Sequence, residues 1–320
     1  MANIRLNGRH LLRYDSELRS ERDVQRNTLK NELGTIRKFL EFCIRSNAVE
    51  PAVALQVDVP SLSKDERINR EKLPSERARD ILDYLDRFKY ASRDHVFAGL
   101  LWETGARIGS IRALDIEDVY LDEDDLDRLR YQEDLDIEES VLERILGDVE
   151  PPFLYFRHRP ETGTPLKKKD AAERPVNITE ELGSIISAYL NVNRPDQTDE
   201  HGQEPLLASA KSDSRLSLSG MRMRAYVLTQ PCRMGKDCPH GRDPETCEAR
   251  EHGGESKCPS VRSPHKWRTG SITWHRDRGW PPEEIAVKMA TSVEMVNSVY
   301  DQPEKLKRMN NRRTFLDDLE

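Results

Sequence analysis

The stretch SPHKWRTGSITWH, residues 263–275, concentrates basic side chains at one predicted helix start. A proline favours the first turn of a helix, and His265 and Arg268 then lie about one turn apart on the same face. Lys266 adds a third basic group between them. Such a cluster is either an ordinary solvated helix end or a site that holds a negatively charged ligand. The rest of the sequence decides between the two.

Three other stretches carry groups that suit the same kind of ligand. Arg107 follows a glycine turn in TGARIGSIRAL and stands at the start of a short predicted helix. Three consecutive lysines, residues 167–169, lie near the tip of a predicted β-hairpin. Tyr300 ends another short predicted helix, 32 residues beyond Arg268. Each piece is weak evidence alone, but together they predict one site assembled from four separate segments.

The order and spacing of these groups resemble the tyrosine recombinase (phage integrase) family. The signature of that family is an arginine in TG-x-R, a lysine in a β-hairpin, the motif H-x-x-R, and a nucleophilic tyrosine near the C-terminus. The likeness extends over roughly residues 77–302. The phrase GSITWH…GWPP most resembles the branch found in salt-loving archaea, which agrees with a composition of 36 arginines against 15 lysines.

The resemblance implies a site that cleaves DNA strands. Arg107 and Arg268 would grip the non-bridging oxygens of a phosphodiester and offset the charge that builds up in the transition state. Lys169, five residues before Arg174, is the best match to the catalytic lysine of the family, with Lys168 second. This lysine would protonate the departing 5′-oxygen.

The remaining implied roles belong to a histidine and a tyrosine. His265 would accept or share the proton of the attacking phenol, or orient the phosphate. Tyr300 would attack phosphorus and form a 3′-phosphotyrosyl link. Because that link conserves the energy of the broken bond, we expect no cofactor and no metal in the catalytic step.

Two positions depart from the family pattern. Ser110 replaces the acid of TG-x-R-x-x-E, so one hydrogen-bond partner of the site is missing. Thr291 replaces the second histidine, nine residues before the tyrosine. Its hydroxyl can donate a hydrogen bond to a phosphate oxygen, so we count Thr291 among the catalytic candidates, but it cannot relay a proton at neutral pH. Trp274 and His275 are candidates to take over that role.

A cysteine-rich loop leads directly into the predicted site. Clustered thiols in an intracellular protein favour a metal over disulfides, and zinc prefers thiolate and imidazole ligands. The spacing lacks a C-x-x-C pair, so free thiols are the alternative to a structural zinc site. The candidate ligands are Cys232, Cys238, Cys247 and Cys258, with His240 and His252 between them.

The elements that must position these groups are mostly helical. Residues 23–48 show a helical apolar stripe of Leu29, Leu33, Ile36, Leu40 and Phe39/Cys43, and a proline-broken linker follows. This pattern predicts a domain boundary near residue 72. Residues 1–72 would form a helical core-binding (SAM-like) DNA-binding domain, as the resemblance implies. Residues 73–320 would form an integrase-like catalytic domain that begins with a helix capped by Ser75.

The predicted fold class is mainly α with a small β-sheet or hairpin, in the two-domain architecture of tyrosine recombinases. Within the catalytic domain, FLYF and RPVNI predict the two strands of the lysine hairpin. The stretch that contains TGARIGSIRAL predicts a helix, a glycine turn and a second short helix that ends in a strand.

Charge is distributed unevenly. The net charge is −7, yet residues 115–150 alone hold 16 acidic and 3 basic residues. Outside this acidic insert the chain carries a small net positive charge, so the overall charge of −7 does not exclude a nucleic-acid partner. We favour a halophilic surface over a partner-binding insert as its meaning. No apolar run suits a membrane span or a secretory signal, and we expect a cytoplasmic protein without a membrane partner.

The predicted function is that of a site-specific recombinase, an enzyme that transfers DNA strands. Its partner would be double-stranded DNA, faced by the basic helix around Arg222 and Arg224, and the resemblance implies a homotetramer in the synaptic complex. A non-catalytic DNA-binding regulator, favoured by Ser110 and Thr291, and a type IB topoisomerase are the alternatives.

Overall fold

The computed structural model of the protein describes residues 8–21, 24–54, 56–63, 66, 71–130, 147–209 and 215–300. Part of the acidic insert and the segment after Tyr300 therefore lie outside the described residues, as does the side chain of Tyr300 itself. The chain divides into two compact units, Met1–Arg70 and Glu71–Glu320. None of the described helices is long and apolar enough to cross a membrane.

The first unit is a small helical module. Its helices are α1 (Gly8–Ser16), which continues as a π-helical turn, α2 (Arg26–Arg45) and α3 (Pro51–Ala54). Leu29, Leu33 and Leu40 of α2 are buried in a core that includes Leu11 and Leu18. Helical spacing places these leucines on one face.

The predicted stripe on α2 is wrong at one residue and only partly right at another. The side chain of Phe39 is 59% exposed, because its neighbour Leu40 occupies the inward position. Cys43 is only partly buried. Phe42 points outward as well.

The second unit contains helices and one small antiparallel sheet, which confirms the predicted fold class. Its helices are α4 (Ser75–Phe88), α5 (Arg93–Glu103), α6 (Ile108–Arg112), α7 (Glu123–Arg130), α8 (Glu180–Ala188), α9 (Leu218–Leu228), α10 (Pro264–Asp277), α11 (Pro282–Lys288) and α12 (Val293–Tyr300). The N-cap position of α4 is Pro74 without a side-chain hydrogen bond, so the predicted Ser75 cap is wrong.

The strands are β1 (Val119–Tyr120), β2 (Phe153–Phe156) and β3 (Arg174–Asn177). They pair antiparallel in the order β1-β2-β3, with Phe156 opposite Arg174 at the loop end of the β2–β3 hairpin. This confirms the predicted strand pair. The hairpin between β2 and β3 carries the three lysines.

Helix α5 lies at the centre of the second unit, where all its residues from His95 to Trp102 are buried. It packs against α10, and a side chain at Gly270 would lie 2.3 Å from the main-chain oxygen of Leu73 and 3.0 Å from Trp102. Only a residue without a Cβ allows that close approach. The Ser271 hydroxyl donates to the main-chain oxygen of Trp102 (2.5 Å), which fixes the two helices relative to each other.

Candidate active site

Arg107 is held at the end of a glycine turn that connects α5 to α6. Gly105 has a φ of +55°, and a Cβ there would lie 2.6 Å from the sulfur of Met289. Both the backbone conformation and the space therefore favour a glycine. The turn leaves Arg107 as the residue that precedes α6, and its Nη1 donates to the main-chain oxygen of Ala290 (2.9 Å).

Arg268 lies in the first turns of α10 and is almost completely buried, with 4% of its surface exposed. Its Nη1 donates to the main-chain oxygen of Gly105 (2.8 Å), which joins α10 to the turn before Arg107. Its Nη2 has no hydrogen-bond partner within the described part of the chain. A buried guanidinium nitrogen without a partner costs free energy unless a ligand satisfies it.

A third arginine joins this pair, and the sequence-based reasoning missed it. Arg174 is 7% exposed at the start of β3, with its guanidinium 4.6 Å from the ring centroid of Phe156. Its Nε donates to the main-chain oxygen of Lys288 (2.7 Å) and its Nη1 to that of Ala172 (2.7 Å). The available signal was an arginine on the buried face of an alternating strand.

The three guanidinium groups form an arginine cluster (Arg107, Arg174 and Arg268) whose charges are not compensated. No ion pair joins any of the three to a carboxylate in the ranges that the structure describes. Burial, followed by the charges of Arg107 and Arg174, lowers the pKa of Arg268 to about 9. Burial and the charge of Arg107 lower the pKa of Arg174 to about 10. Arg174 and Arg268 therefore stay charged at neutral pH, and the uncompensated charges of the cluster suit an anion.

His265 lies at the edge of the same site. Loss of hydration lowers its pKa below the usual 6.5, and the charges of Arg268, Arg107 and Lys167 lower it further. The imidazole is therefore neutral at pH 7 and able to accept a proton. This is the protonation state that a base for a phenol requires.

A pocket of about 280 Å³ opens above these groups. Arg107, His265 and Arg268 line it, as the sequence predicted for one shared site, and Arg222 of α9 adds a fourth basic side chain. Arg224 does not, because it forms an ion pair with Asp94, with Nε 2.9 Å from the carboxylate. The prediction that the helix around Arg222 and Arg224 faces a nucleic acid stays a prediction, with Arg222 at the pocket and Arg224 paired to Asp94.

The lysines of the hairpin are exposed, and the structure distinguishes between them. Lys167 is close enough for its charge to act on His265. Lys169, the predicted catalytic lysine, has a φ of +54° and stands at the start of a short 3₁₀ turn, Lys169–Ala172. Its main-chain nitrogen donates to the oxygen of Leu166 (3.0 Å).

Thr291 follows directly on the residue that Arg107 holds. Its main-chain nitrogen donates to the oxygen of Ala286 (2.9 Å), and its side chain is partly exposed. Ser110 is buried one turn into α6. Helix α12 begins two residues after Thr291 and ends at Tyr300, whose side chain lies outside the described residues. The backbone thus connects the arginine cluster to the tyrosine over a single short helix.

His275 is wrong as a substitute for Thr291. It lies ten residues after His265 in the same helix, about 15 Å along the axis. Its Nδ1 contacts the main-chain oxygen of Ser271 (2.9 Å), and its ring packs against Trp274 and Trp280. Burial lowers its pKa to about 4. Neither His275 nor Trp274 lines the pocket of the arginine cluster.

No disulfide joins the cysteines of the loop before α10. Burial raises the pKa of the Cys232 thiol, and the neighbouring thiols of Cys258 and Cys238 raise that pKa further. His240 contacts the Ser260 hydroxyl (2.7 Å). Across the described residues, no group of three or more potential ligands is arranged to hold a metal. Structural zinc therefore stays a prediction.

Solved structures show which fold this arrangement belongs to. No family model and no curated protein matches the chain. The XerH site-specific recombinase bound to a palindromic difH substrate matches with a TM-score of 0.57 and 10% identity, over 97% of this chain and 73% of that one. The Tn1549 transposon integrase in complex with transposon right end DNA matches with a TM-score of 0.56 and 12% identity, over 100% of this chain and 87% of that one. A lambda integrase dimer bound to a COC′ core site matches with a TM-score of 0.52 and 10% identity, over 92% and 64%.

The chain has the fold of the tyrosine recombinases. In this tyrosine recombinase fold, the four predicted segments occupy different positions around the pocket. The turn before α6 and the start of α10 form the floor of the pocket, and the lysine hairpin and α12 approach it from β3 and α11.

Proposed function

We propose that the protein is a tyrosine-type site-specific recombinase that cleaves and rejoins double-stranded DNA through a 3′-phosphotyrosyl intermediate. The observation that carries the proposal is the uncompensated pair of the partly buried Arg107 and the buried Arg268, which line a pocket edged by neutral His265. Arg268 still has an unpartnered Nη2 there. A phosphodiester supplies the anionic oxygens that such a pair lacks.

The proposed step is an in-line displacement at phosphorus. The Tyr300 oxygen bonds to phosphorus while the bond to the 5′-oxygen of the next nucleotide breaks. His265 receives the phenolic proton, and a hairpin lysine gives a proton to the 5′-oxygen. Arg107 and Arg268 hold the non-bridging oxygens throughout. The reverse reaction with a different 5′-hydroxyl rejoins the strand, so no cofactor is consumed.

We propose Lys167, rather than the predicted Lys169, as the proton donor, because its charge reaches His265. Replacing the donor with alanine should slow cleavage about 10²–10⁴-fold. A 5′-bridging sulfur in the DNA leaves as a thiolate and needs no proton, so it should restore the rate of the variant that lost the donor. We expect restoration for Lys167→Ala and unchanged, near wild-type rates for Lys168→Ala. If the sulfur-containing DNA restores the cleavage rate of Lys169→Ala only, Lys169 is the proton donor instead.

The structural neighbours in DNA complexes support duplex DNA as the substrate, and a lambda integrase tetramer bound to a Holliday junction, which matches this fold, supports a tetrameric synapse. Arg222, exposed beside the pocket, adds a phosphate contact, and the helical unit Met1–Arg70 is proposed to contribute further DNA contacts. The arginine-rich composition supports the proposal of an origin in the branch of salt-loving archaea.

Structural zinc is part of the proposal, held by thiolates among Cys232, Cys238, Cys247 and Cys258. Protein purified without chelator should contain about one zinc per chain by elemental analysis, and chelation should lower its melting temperature. Zinc near zero in folded protein would contradict the site. Apo protein reconstituted with magnesium in place of zinc serves as the control.

A randomised library of nicked duplexes tests the reaction without knowledge of the target site. The nick lets a short strand diffuse away, so covalent protein–DNA complexes accumulate and are captured after denaturation. Adduct in the wild type and none in Tyr300→Phe supports an enzyme. No adduct from any sequence, with retained DNA binding, would instead favour a non-catalytic regulator, which Ser110 and Thr291 allow. Strand transfer between two captured DNAs separates a recombinase from a type IB topoisomerase, which only relaxes supercoils.

A further inference from the structure

Arg174 has no role in the proposed step, yet it is a buried charge without a counter-ion. It is 7% exposed and forms no ion pair with any described carboxylate. The contacts that hold it are two main-chain oxygens and the face of Phe156. A buried guanidinium without a counter-ion costs folding free energy. An apolar side chain of similar size would avoid that cost, so packing alone does not explain Arg174.

The two oxygens that Arg174 contacts belong to different parts of the site. Ala172 ends the 3₁₀ turn of the lysine hairpin, and Lys288 ends α11. Arg174 therefore connects the hairpin that would deliver the proton donor to the turn that leads towards the nucleophile.

Arg107 holds the same turn from the pocket side. It donates to the oxygen of Ala290, two residues beyond the oxygen that Arg174 uses. Ala290 has a φ of +47°, a conformation that a residue with a Cβ adopts only when its surroundings hold it there. Two guanidinium groups thus fix the turn 288–290, and Thr291 and α12 follow directly.

We propose that Arg174 is a positioning residue that couples the lysine hairpin to the turn before α12 and adds a third positive charge to the phosphate site. The proposal deepens the proposed function, since it takes a DNA phosphate as the anion. Arg174 does not line the pocket, so it acts through Arg107 and Arg268 and through the turn. The positive charge of Arg174 favours an anion bound by Arg107 and Arg268. The forked guanidinium group donates to both Ala172 and Lys288, and so holds the hairpin and the turn in a fixed relative position.

Two variants of Arg174 distinguish the effect of its charge from the effect of its forked hydrogen bonds. Arg174→Lys keeps the charge but lacks the fork, because an ammonium cannot donate along two fixed directions at once. Arg174→Met removes both the charge and the fork while filling a similar volume. Arg224→Met is the matched control, since Arg224 is a partly buried arginine of the same unit that pairs with Asp94 and lies outside the pocket.

The first measurement needs no DNA. The melting temperature of each variant is followed against inorganic phosphate, with sulfate-free buffer at constant ionic strength, to obtain an apparent phosphate Kd. We expect Arg174→Met to weaken phosphate about tenfold, Arg174→Lys to stay within about threefold of wild type, and Arg224→Met to match wild type. Arg268→Met should abolish the phosphate effect. No phosphate-dependent stabilisation of wild type, or an unchanged Kd in Arg174→Met, would overturn the electrostatic contribution.

The second measurement is the single-turnover rate of adduct formation at saturating nicked DNA. We expect a loss of about 10²-fold in Arg174→Met and about 10-fold or more in Arg174→Lys, despite its retained phosphate affinity. Wild-type rates in both variants would overturn the positioning role. If wild type forms no adduct, the proposed function fails, while the phosphate measurement still decides whether Arg174 belongs to the anion site.

Discussion

Two groups of buried and partly buried arginines in the second unit use the same side chain in opposite ways. The ion-pair network at the base of the hairpin contains Arg157, Arg159 and Arg215, and its acids are Asp115, Asp118 and Asp199. The arginine cluster beneath the pocket contains Arg107, Arg174 and Arg268 and has no acid among the described residues. The first group is complete within the protein, and the second is complete only with an external anion.

The pKa values express the same difference. Burial works against the charged form of Arg159, but the hydrogen bond to Asp118 and the charges of Asp118, Glu117 and Asp115 raise its pKa above the usual value. For Arg268, burial and two neighbouring arginines all lower the pKa, to about 9. A structural arginine is held by its neighbours, whereas a binding arginine is destabilised until its ligand arrives.

Removing an acid from the compensated network should have the largest effect on stability. Asp118 is fully buried and accepts hydrogen bonds from Arg157 and Arg159. Asp118→Asn leaves two buried guanidinium groups without their charge partner, and we expect a loss of about 3–5 kcal/mol in the free energy of unfolding. Urea denaturation measures it. Glu117→Gln removes an exposed partner of Arg159 and should cost no more than about 1 kcal/mol. Equal losses in the two variants would contradict the distinction.

The opposite result is expected in the uncompensated cluster. Arg268→Met removes a buried charge that no described acid pairs, so the free energy of unfolding should rise or change by less than about 1 kcal/mol in the same urea experiment. The rate of DNA cleavage should fall about 10²–10³-fold, because a preorganised donor to the phosphate is lost. A loss of stability as large as that of Asp118→Asn would mean that Arg268 is a structural residue.

The smallest expected effect is a shift in the titration of His265. Its folded pKa lies below 6.5, so its contribution to stability is present above pH 6.5 and is lost as the pH falls through that lower value. Removing the charge in Arg268→Met, or neutralising it with bound phosphate, should raise the pKa of His265 towards 6.5. Proton NMR of the imidazole measures this shift. An unchanged pKa in Arg268→Met would separate His265 from the cluster.

Local patterns predicted most of the elements, and the order and spacing of the motifs along the chain predicted that Arg107, His265 and Arg268 share a site. The glycine turn and the H-x-x-R spacing fix where side chains stand on short elements, so the sequence contains the geometry directly. The strand pair around the lysine hairpin is confirmed for the same reason.

Long-range partners were not predictable from those patterns. Arg224 resembles Arg222 in sequence, but its partner Asp94 lies 130 residues away, and only the packing of α9 against α5 brings them together. Arg174 was overlooked because its place on the buried face of an alternating strand shows burial but not the absence of an acidic partner. The choice among three adjacent lysines likewise depends on the backbone of the hairpin, including the positive φ of Lys169.

The most direct test of the account is the position of the covalent bond. Adduct captured from the nicked library is digested with protease and nuclease, and the residual nucleotide is located by peptide mass spectrometry. The account predicts a 3′-linked nucleotide on the peptide that contains Tyr300, with loss of that peptide in Tyr300→Phe and in Arg268→Met. A nucleotide on any other residue, or full adduct formation in Arg268→Met, would contradict a site in which the buried arginine cluster holds the phosphate for Tyr300.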